Sequence, residues 1–211
     1  PGGRGRHDPA RDSRELGHRN APPSIWPHIE EQVLDLITTH GSTICFVNSR
    51  RIAERMTAHL NELYAERLEA SAATTRPLVD VNGHGPPSDN ETPDTGFPLI
   101  AEAHHGSVSK ERRAQVEAAL KAGSLRCVVA TSSLELGIDM GAVDLVIQIA
   151  SPPSVASGLQ RVGRAGHHVG AVSQGSIFPT SRADLLEAAV VVEGMLAGDI
   201  DPVLARLTAE Q

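Results

Sequence analysis

Arg126-Cys127-Val128-Val129-Ala130-Thr131 is the stretch on which the fold turns. Its central residues are apolar with no polar alternate, the pattern of a strand covered on both faces rather than one with a wet side. Asp144-Leu145-Val146-Ile147-Gln148-Ile149 reads almost the same way, and Thr43-Ile44-Cys45-Phe46-Val47 adds a third run. Leu99 to Ala103 and a short run around Ser176 to Phe178 supply two weaker strands. Between these runs the apolar period changes to that of helices. Ser24 to His40 carries Ile25, Ile29, Val33, Leu36 and Ile37 at helical spacing, with Gly41 as its expected C-cap. Arg50 to about Glu69 turns Ile52, Met56 and Leu60 inward, Ser109 caps a helix that Gly123 closes, and further helices are expected near 154–165 and 182–197. This alternation predicts an α/β fold with a doubly wound, mainly parallel sheet flanked by helices.

Outside the alternating region the composition shifts. Residues 1–23 are rich in Gly, Pro, Arg and Asp and read as a flexible linker, while 24–198 form the folded domain. From about Ala70 to Phe97 the helical pattern gives way to Pro, Gly, Ser, Asn and Asp, too long a break for an ordinary connection, so 70–97 reads as a disordered insertion. Residues 199–211 read as the start of a connection to a following domain. The 211 residues carry 19 Lys plus Arg against 26 Asp plus Glu, a formal charge of -7, so the chain as a whole is no basic glove for nucleic acid. Residues 66–96 supply most of that excess, and the rest is nearly balanced. The two cysteines, Cys45 and Cys127, sit among apolar residues and offer neither a disulfide framework nor a paired-cysteine zinc site. No run approaches a membrane span, and a cytoplasmic location is expected.

Four polar clusters follow the strands. Val47-Asn48-Ser49-Arg50-Arg51 stands where a strand turns into a helix, a place where backbone donors and side chains converge on phosphate. His104-His105-Gly106-Ser107 repeats the theme; the adjacent histidines face opposite ways, so polar contacts are expected rather than a shared metal, and no metal ligand set is assigned. Thr131 and Ser132 leave a buried strand with hydroxyls available to phosphate, and Gly137 and Asp139 follow, the carboxylate suited to ribose hydroxyls; alone, this stretch reads equally as a capped helix with a solvated Asp. In Gln160-Arg161-Val162-Gly163-Arg164-Ala165-Gly166-His167, two arginines three apart share one helix face, and the glycines keep that face low. A guanidinium there suits phosphate oxygens, although in isolation the segment is also compatible with a surface arginine pair.

Taken in order, the clusters resemble motifs IV, V and VI of superfamily 2 helicases: Thr43 to Arg51, Val129 to Asp139 with Gly-Ile-Asp, and Gln160 to His167 with Gln-Arg-x-Gly-Arg-x-Gly. Ser24-Ile-Trp-Pro27, Phe46 to Arg51, His104-His-Gly-Ser107, Leu134 to Asp139 and Gly163 to His167 are similar to the Lhr-type large helicase-related proteins. The resemblance covers about residues 24–198 without the insertion, and implies the second, C-terminal RecA-like domain of an ATP-dependent helicase. It implies Arg164 as a catalytic finger on the γ-phosphate with Gln160 beside it, and Gly137, Asp139, Arg161 and Arg164 on ATP. Asn48, Ser49, Arg50, His105, Gly106, Thr131 and Ser132 would touch the sugar-phosphate backbone of one strand. Many helicases carry a second arginine where this chain has His167, which near neutrality is only partly charged.

Two elements of an ATPase are missing from the sequence. No Gly-x-x-x-x-Gly-Lys-Ser/Thr occurs, and no Asp-Glu pair ends a strand to hold Mg²⁺. The expected partner is therefore an N-terminal RecA-like domain of the same parent chain, which would cradle ATP and Mg²⁺, so the isolated chain is not expected to hydrolyse ATP. Single-stranded or partly duplex nucleic acid is the expected substrate, with 3′ to 5′ polarity and a downstream winged-helix-type domain implied by the resemblance. A nucleic-acid-binding regulatory module without ATP turnover is the alternative. Aromatic residues make up only 2% of the chain, so base-stacking platforms are not expected.

Overall fold

The computed structural model of the chain describes residues 24–75, 99–134, 143–166 and 173–198. In chain order these form α1 (Trp26–Thr39), β1 (Thr43–Phe46), α2 (Arg50–Thr75), β2 (Ala101–His104), α3 (Lys110–Lys121), β3 (Cys127–Ala130), a 3₁₀ turn (Ser132–Leu134), β4 (Leu145–Ile149), α4 (Val155–Val162), β5 (Gly175–Phe178) and α5 (Arg182–Ala197). The strands make one sheet in the order β2-β3-β1-β4-β5, and every neighbouring pair is parallel.

The apolar runs lack polar alternates because both faces of the sheet are covered. Cys45, Val47, Cys127, Val129, Leu145, Ile147 and Ile149 face one way, into a core completed by Ile29, Val33, Leu34 and Ile37 of α1 and Ala53, Met56 and Leu60 of α2. Ile44, Phe46, Val128, Ala130 and Val146 face the other way, against Val116 and Leu120 of α3. Each fully buried aliphatic or aromatic side chain stabilises the fold by roughly 1.5–3 kcal/mol. Cys45 and Cys127 are both wholly buried, and burial pushes the Cys45 thiol up to about 12. Among the described residues no helix is long and apolar enough to cross a membrane.

Several boundaries differ from the sequence reading for definite reasons. The first helix ends with His40 in extended conformation, not with a left-handed glycine. Gly41 serves another purpose: its amide and that of Ser42 donate to Asp144 Oδ2 at 2.9 Å each, and a Cβ at Gly41 would lie 2.9 Å from that oxygen. The second helix runs to Thr75, six residues past Glu69, because Ala70-Ser-Ala-Ala-Thr-Thr75 holds no helix breaker. The first part of the expected insertion is thus helix, and residues 76–98 lie outside the described residues, as do the expected linker at 1–23 and the connection at 199–211. Ser109 and Ser181 cap α3 and α5 by accepting from the amides of Arg112 and Asp184, each at 3.1 Å, and Gly123 closes α3 region at φ +71°. The helices α4 and α5 meet at Gly158, where a Cβ would lie 2.6 Å from Met195 Sδ.

Candidate nucleotide and nucleic-acid interface

Register brings the polar clusters to one edge. His104 pairs with Ala130, Ala130 with Phe46, Phe46 with Gln148 and Gln148 with Ile177, so the residues that follow leave the sheet at one level. The clusters at Asn48, His105 and Thr131 come from β1, β2 and β3, which are adjacent in space as β2-β3-β1. At a strand spacing of about 4.8 Å they form a row about 10 Å wide, and α2 and α3 each start beside it with the donor end of the helix.

The side chains of this row are organised from beneath. Ser49 Oγ accepts from the Ile52 amide at 3.3 Å, so it caps α2 while its hydroxyl keeps a proton to donate. Arg50 donates to Ser107 Oγ at 2.9 Å and joins the loops after β1 and β2. The His105 ring is buried: Nδ1 accepts from the Ser107 amide at 3.3 Å and Nε2 donates to Glu54 Oε1 at 2.5 Å. It props up the exposed Gly106, where a Cβ would meet nothing within 4 Å, so no packing within the domain demands glycine there. Ser132 is exposed and Thr131 partly so.

His104 points to the other side of the sheet, as its adjacency to His105 predicts. Ser133 Oγ donates to the His104 carbonyl at 3.0 Å, so with that single proton spent, His104 Nδ1 donates to Ser133 Oγ at 2.9 Å. The Nε2 contact with Glu117 at 2.9 Å then needs a proton of its own, on the ring or on the carboxylate. Among the described residues no group of His, Cys, Asp and Glu has the makings of a metal site.

The arginine segment departs from the sequence reading. Arg161 and Arg164 differ in burial, Arg161 within α4 and Arg164 in the turn after it, since α4 ends at Val162 and Gly163 is its C-cap. Arg161 turns inward and is 3% exposed; its guanidinium donates to Gln148 Oε1 at 2.6 Å and Asn48 Oδ1 at 3.2 Å and lies 5.2 Å from the Phe46 ring centre. The structure thus places the Arg161 guanidinium inside the domain, engaged by Gln148 and Asn48, rather than at the surface beside Arg164. Arg164 stands beyond the helix end and is partly exposed, with Gln160 exposed one turn earlier. Gly163 has no room for a side chain, its Cβ falling 2.9 Å from the Leu159 carbonyl, and Gly166 adopts φ +76°. Ala165 bridges to Val143, ahead of β4, so Arg164 lies toward the opposite end of the sheet from the row of strand ends. Gly137, Asp139 and His167 lie outside the described residues.

Sequence reasoning missed the residues that brace this row from the turn after β4. Asn48 Nδ2 donates to the Ser151 carbonyl at 2.9 Å, and the Ser151 amide donates to Asp184 Oδ1 at 2.7 Å. Burial alone would raise the Asp184 carboxyl, but hydrogen bonds from Thr180 and Ser151 outweigh it and hold it below its ordinary value. Gln148 had left a signal, as the one polar residue inside an apolar strand.

Comparison with known proteins agrees with this geometry. A family model described as the helicase conserved C-terminal domain matches residues 95–168. The Lhr helicase/probable uracil glycosylase of Mycolicibacterium smegmatis is 59% identical over 182 residues, which is 84% of this chain and 12% of that protein. The Lhr helicase/uracil glycosylase of Escherichia coli is 56% identical over 187 residues, 89% of this chain and again 12% of the relative. Among solved structures, Mycobacterium smegmatis helicase Lhr bound to ssDNA and AMP-PNP matches with a TM-score of 0.70 and 57% identity, over 85% of this chain and 20% of that one. The chain thus spans about an eighth of the length of these curated relatives. With the motifs in order on a parallel five-stranded sheet, the chain belongs to the Lhr-type superfamily 2 helicases, as their C-terminal RecA-like domain.

Proposed function

We propose that this domain is the second motor lobe of an ATP-driven translocase on nucleic acid, supplying a guanidinium to ATP and a grip on one strand. The observation that carries the reading is the in-register row of donors at β2, β3 and β1, connected through buried Arg161 to the segment bearing Arg164. Arg164 fits a phosphate: it is partly exposed beyond a helix end and flanked by glycines that keep side chains away. ATP, when bound by the N-terminal RecA-like domain together with Mg²⁺, would supply the phosphoryl group whose transfer to water drives the motor. Arg164 would neutralise charge on the transferring oxygens, a contribution of about 10³ to 10⁵ in rate for such fingers. Gln160 would steady the same group, and Gly137 and Asp139 would take the ribose side.

The strand side works by backbone recognition. The Asn48 and Gly106 amides, the hydroxyls of Ser49, Thr131 and Ser132, and Arg50 would donate to successive phosphates, which positions a strand without reading its bases. His105 holds the Gly106 loop in place for this. Closure on the partner lobe and reopening would carry the grip along the strand, in the 3′ to 5′ direction that the family resemblance implies. The chain alone, lacking the phosphate cradle and metal carboxylates, would bind a strand without hydrolysing ATP.

In the full-length protein, Thr131→Val together with Arg50→Ala is expected to weaken single-stranded DNA binding about equally for all sequences and to flatten its salt dependence. Unchanged affinity and salt slope would remove the strand grip from this row.

A further inference from the structure

Asp184 occupies the third position of α5, after the cap Ser181, where an acidic residue ordinarily returns to the cap amide. Here it does something else. Oδ2 accepts from the amide and hydroxyl of Thr180 at 2.6 and 3.0 Å, and Oδ1 reaches across to the Ser151 amide at 2.7 Å. Ser151 Oγ answers by donating to the Asp184 carbonyl at 3.1 Å. The helix is already capped by Ser181, so the contact with Ser151 serves the turn after β4 rather than α5.

That turn needs holding. Ala150 has φ +62°, the only non-glycine in the left-handed region among the described residues, a conformation that persists only where surroundings impose it. Its amide donates to the Phe178 carbonyl at 2.9 Å, and Gln148 Nε2 donates to its carbonyl at 2.9 Å. With the turn so fixed, the Ser151 carbonyl is aimed at Asn48, whose other amide atom receives Arg161. The Arg161 carbonyl in turn accepts the Arg164 amide at 3.0 Å. A continuous chain of polar contacts therefore runs from α5 through the β4 turn to the strand row and on to the finger segment.

We infer that Asp184 is a positioning residue that couples strand binding to ATP hydrolysis, by clamping the Ala150-Ser151 turn against Asn48 and through it Arg161. The inference rests on the reading of Arg164 and the strand row given above. Coupling of this kind requires a connected element that both sites bias, and the Asn48 amide is that element, one atom on the turn and one on Arg161.

The test uses the full-length protein with oligo-dT as the strand. Asp184→Asn keeps the shape but cannot accept from both amides; it is expected to lower strand-stimulated kcat by about tenfold to a hundredfold, the cost of a small misplacement of a reacting group, while KM for ATP stays put. Thr180→Val deletes only the hydroxyl bond at the far oxygen, and should leave stimulation near wild type at a comparable thermal shift. Combining Asp184→Asn with Asn48→Ala should be no worse than the worse single variant, because both break one chain. Wild-type stimulation in Asp184→Asn, or losses that multiply in the double variant, would overturn the inference. Should Asp184→Asn not fold, Asp184→Glu decides: it keeps the charge but moves the carboxylate by one methylene from the Ser151 amide, with reduced stimulation expected and full stimulation contradicting. Arg164→Ala run alongside separates the two claims: if it hydrolyses normally the finger reading fails, whereas its loss beside an intact Asp184→Asn sinks the coupling alone.

Discussion

Replacing Arg161 with Met tests the buried centre of the domain. The change keeps length and removes a guanidinium that is 3% exposed and bonded to Gln148 at 2.6 Å and Asn48 at 3.2 Å. A hydrogen bond from a charged donor contributes about 1.5–3 kcal/mol, and stranding the Gln148 carbonyl, itself 2% exposed, costs about 1–3 kcal/mol more. Against this stands relief from desolvating a cation, so the net loss is expected to be about 2–4 kcal/mol. For a domain of this size that is about 4–16 °C in Tm. Urea unfolding of the 211-residue chain, followed by circular dichroism, reads the difference directly. Adding Gln148→Leu should recover part of the loss, because removing both partners leaves no orphaned oxygen. A single variant within about 0.5 kcal/mol of wild type, or a double variant whose losses simply add, would refute the claim that Arg161 is held as a strut.

Three further outcomes follow from the geometry. Asp184 has a depressed carboxyl, so it contributes stability that is present above the ordinary value of 3.8 and is lost as pH falls through its lower folded value; acid titration of unfolding free energy should show wild type and Asp184→Asn converging below that window, and a constant gap down to the lowest pH would contradict it. Burial of Cys45 and Cys127 predicts that a thiol reagent at pH 8 leaves the native chain unmodified and labels both residues in urea, whereas rapid labelling of native protein would disprove their placement. Gly166→Ala forces a Cβ into φ +76° and should destabilise by about 1–2 kcal/mol in thermal melts, with no change in Tm ruling out the left-handed turn beside Arg164.

The sheet was legible because burial on both faces removes polar alternation, and Cys127 to Ala130 and Leu145 to Ile149 carry that mark plainly. The cap Ser109 and the closing Gly123 were equally readable from local chemistry. For the candidate site, placement was legible: Asn48, Ser49, Arg50, Gly106, Thr131 and Ser132 stand along one edge because strand ends in a parallel sheet converge, a rule that needs only element order. The inward turn of Arg161 was not legible, because its partners Gln148 and Asn48 lie on β4 and after β1 and meet it only through the fold. The burial of His105 was not legible, because nothing local shows that its ring meets Glu54, 51 residues earlier. Asp184 and Ser151 escaped notice for the same reason: their partners lie 33 residues apart and meet only through the fold.

The measurement that bears most directly on the account is ATP hydrolysis by the full-length protein, with and without single-stranded DNA, for Arg164→Ala against wild type. The account predicts a fall of about 10³-fold or more in strand-stimulated kcat with strand affinity retained. Hydrolysis at the wild-type rate would contradict the finger and leave this domain as a strand-binding module.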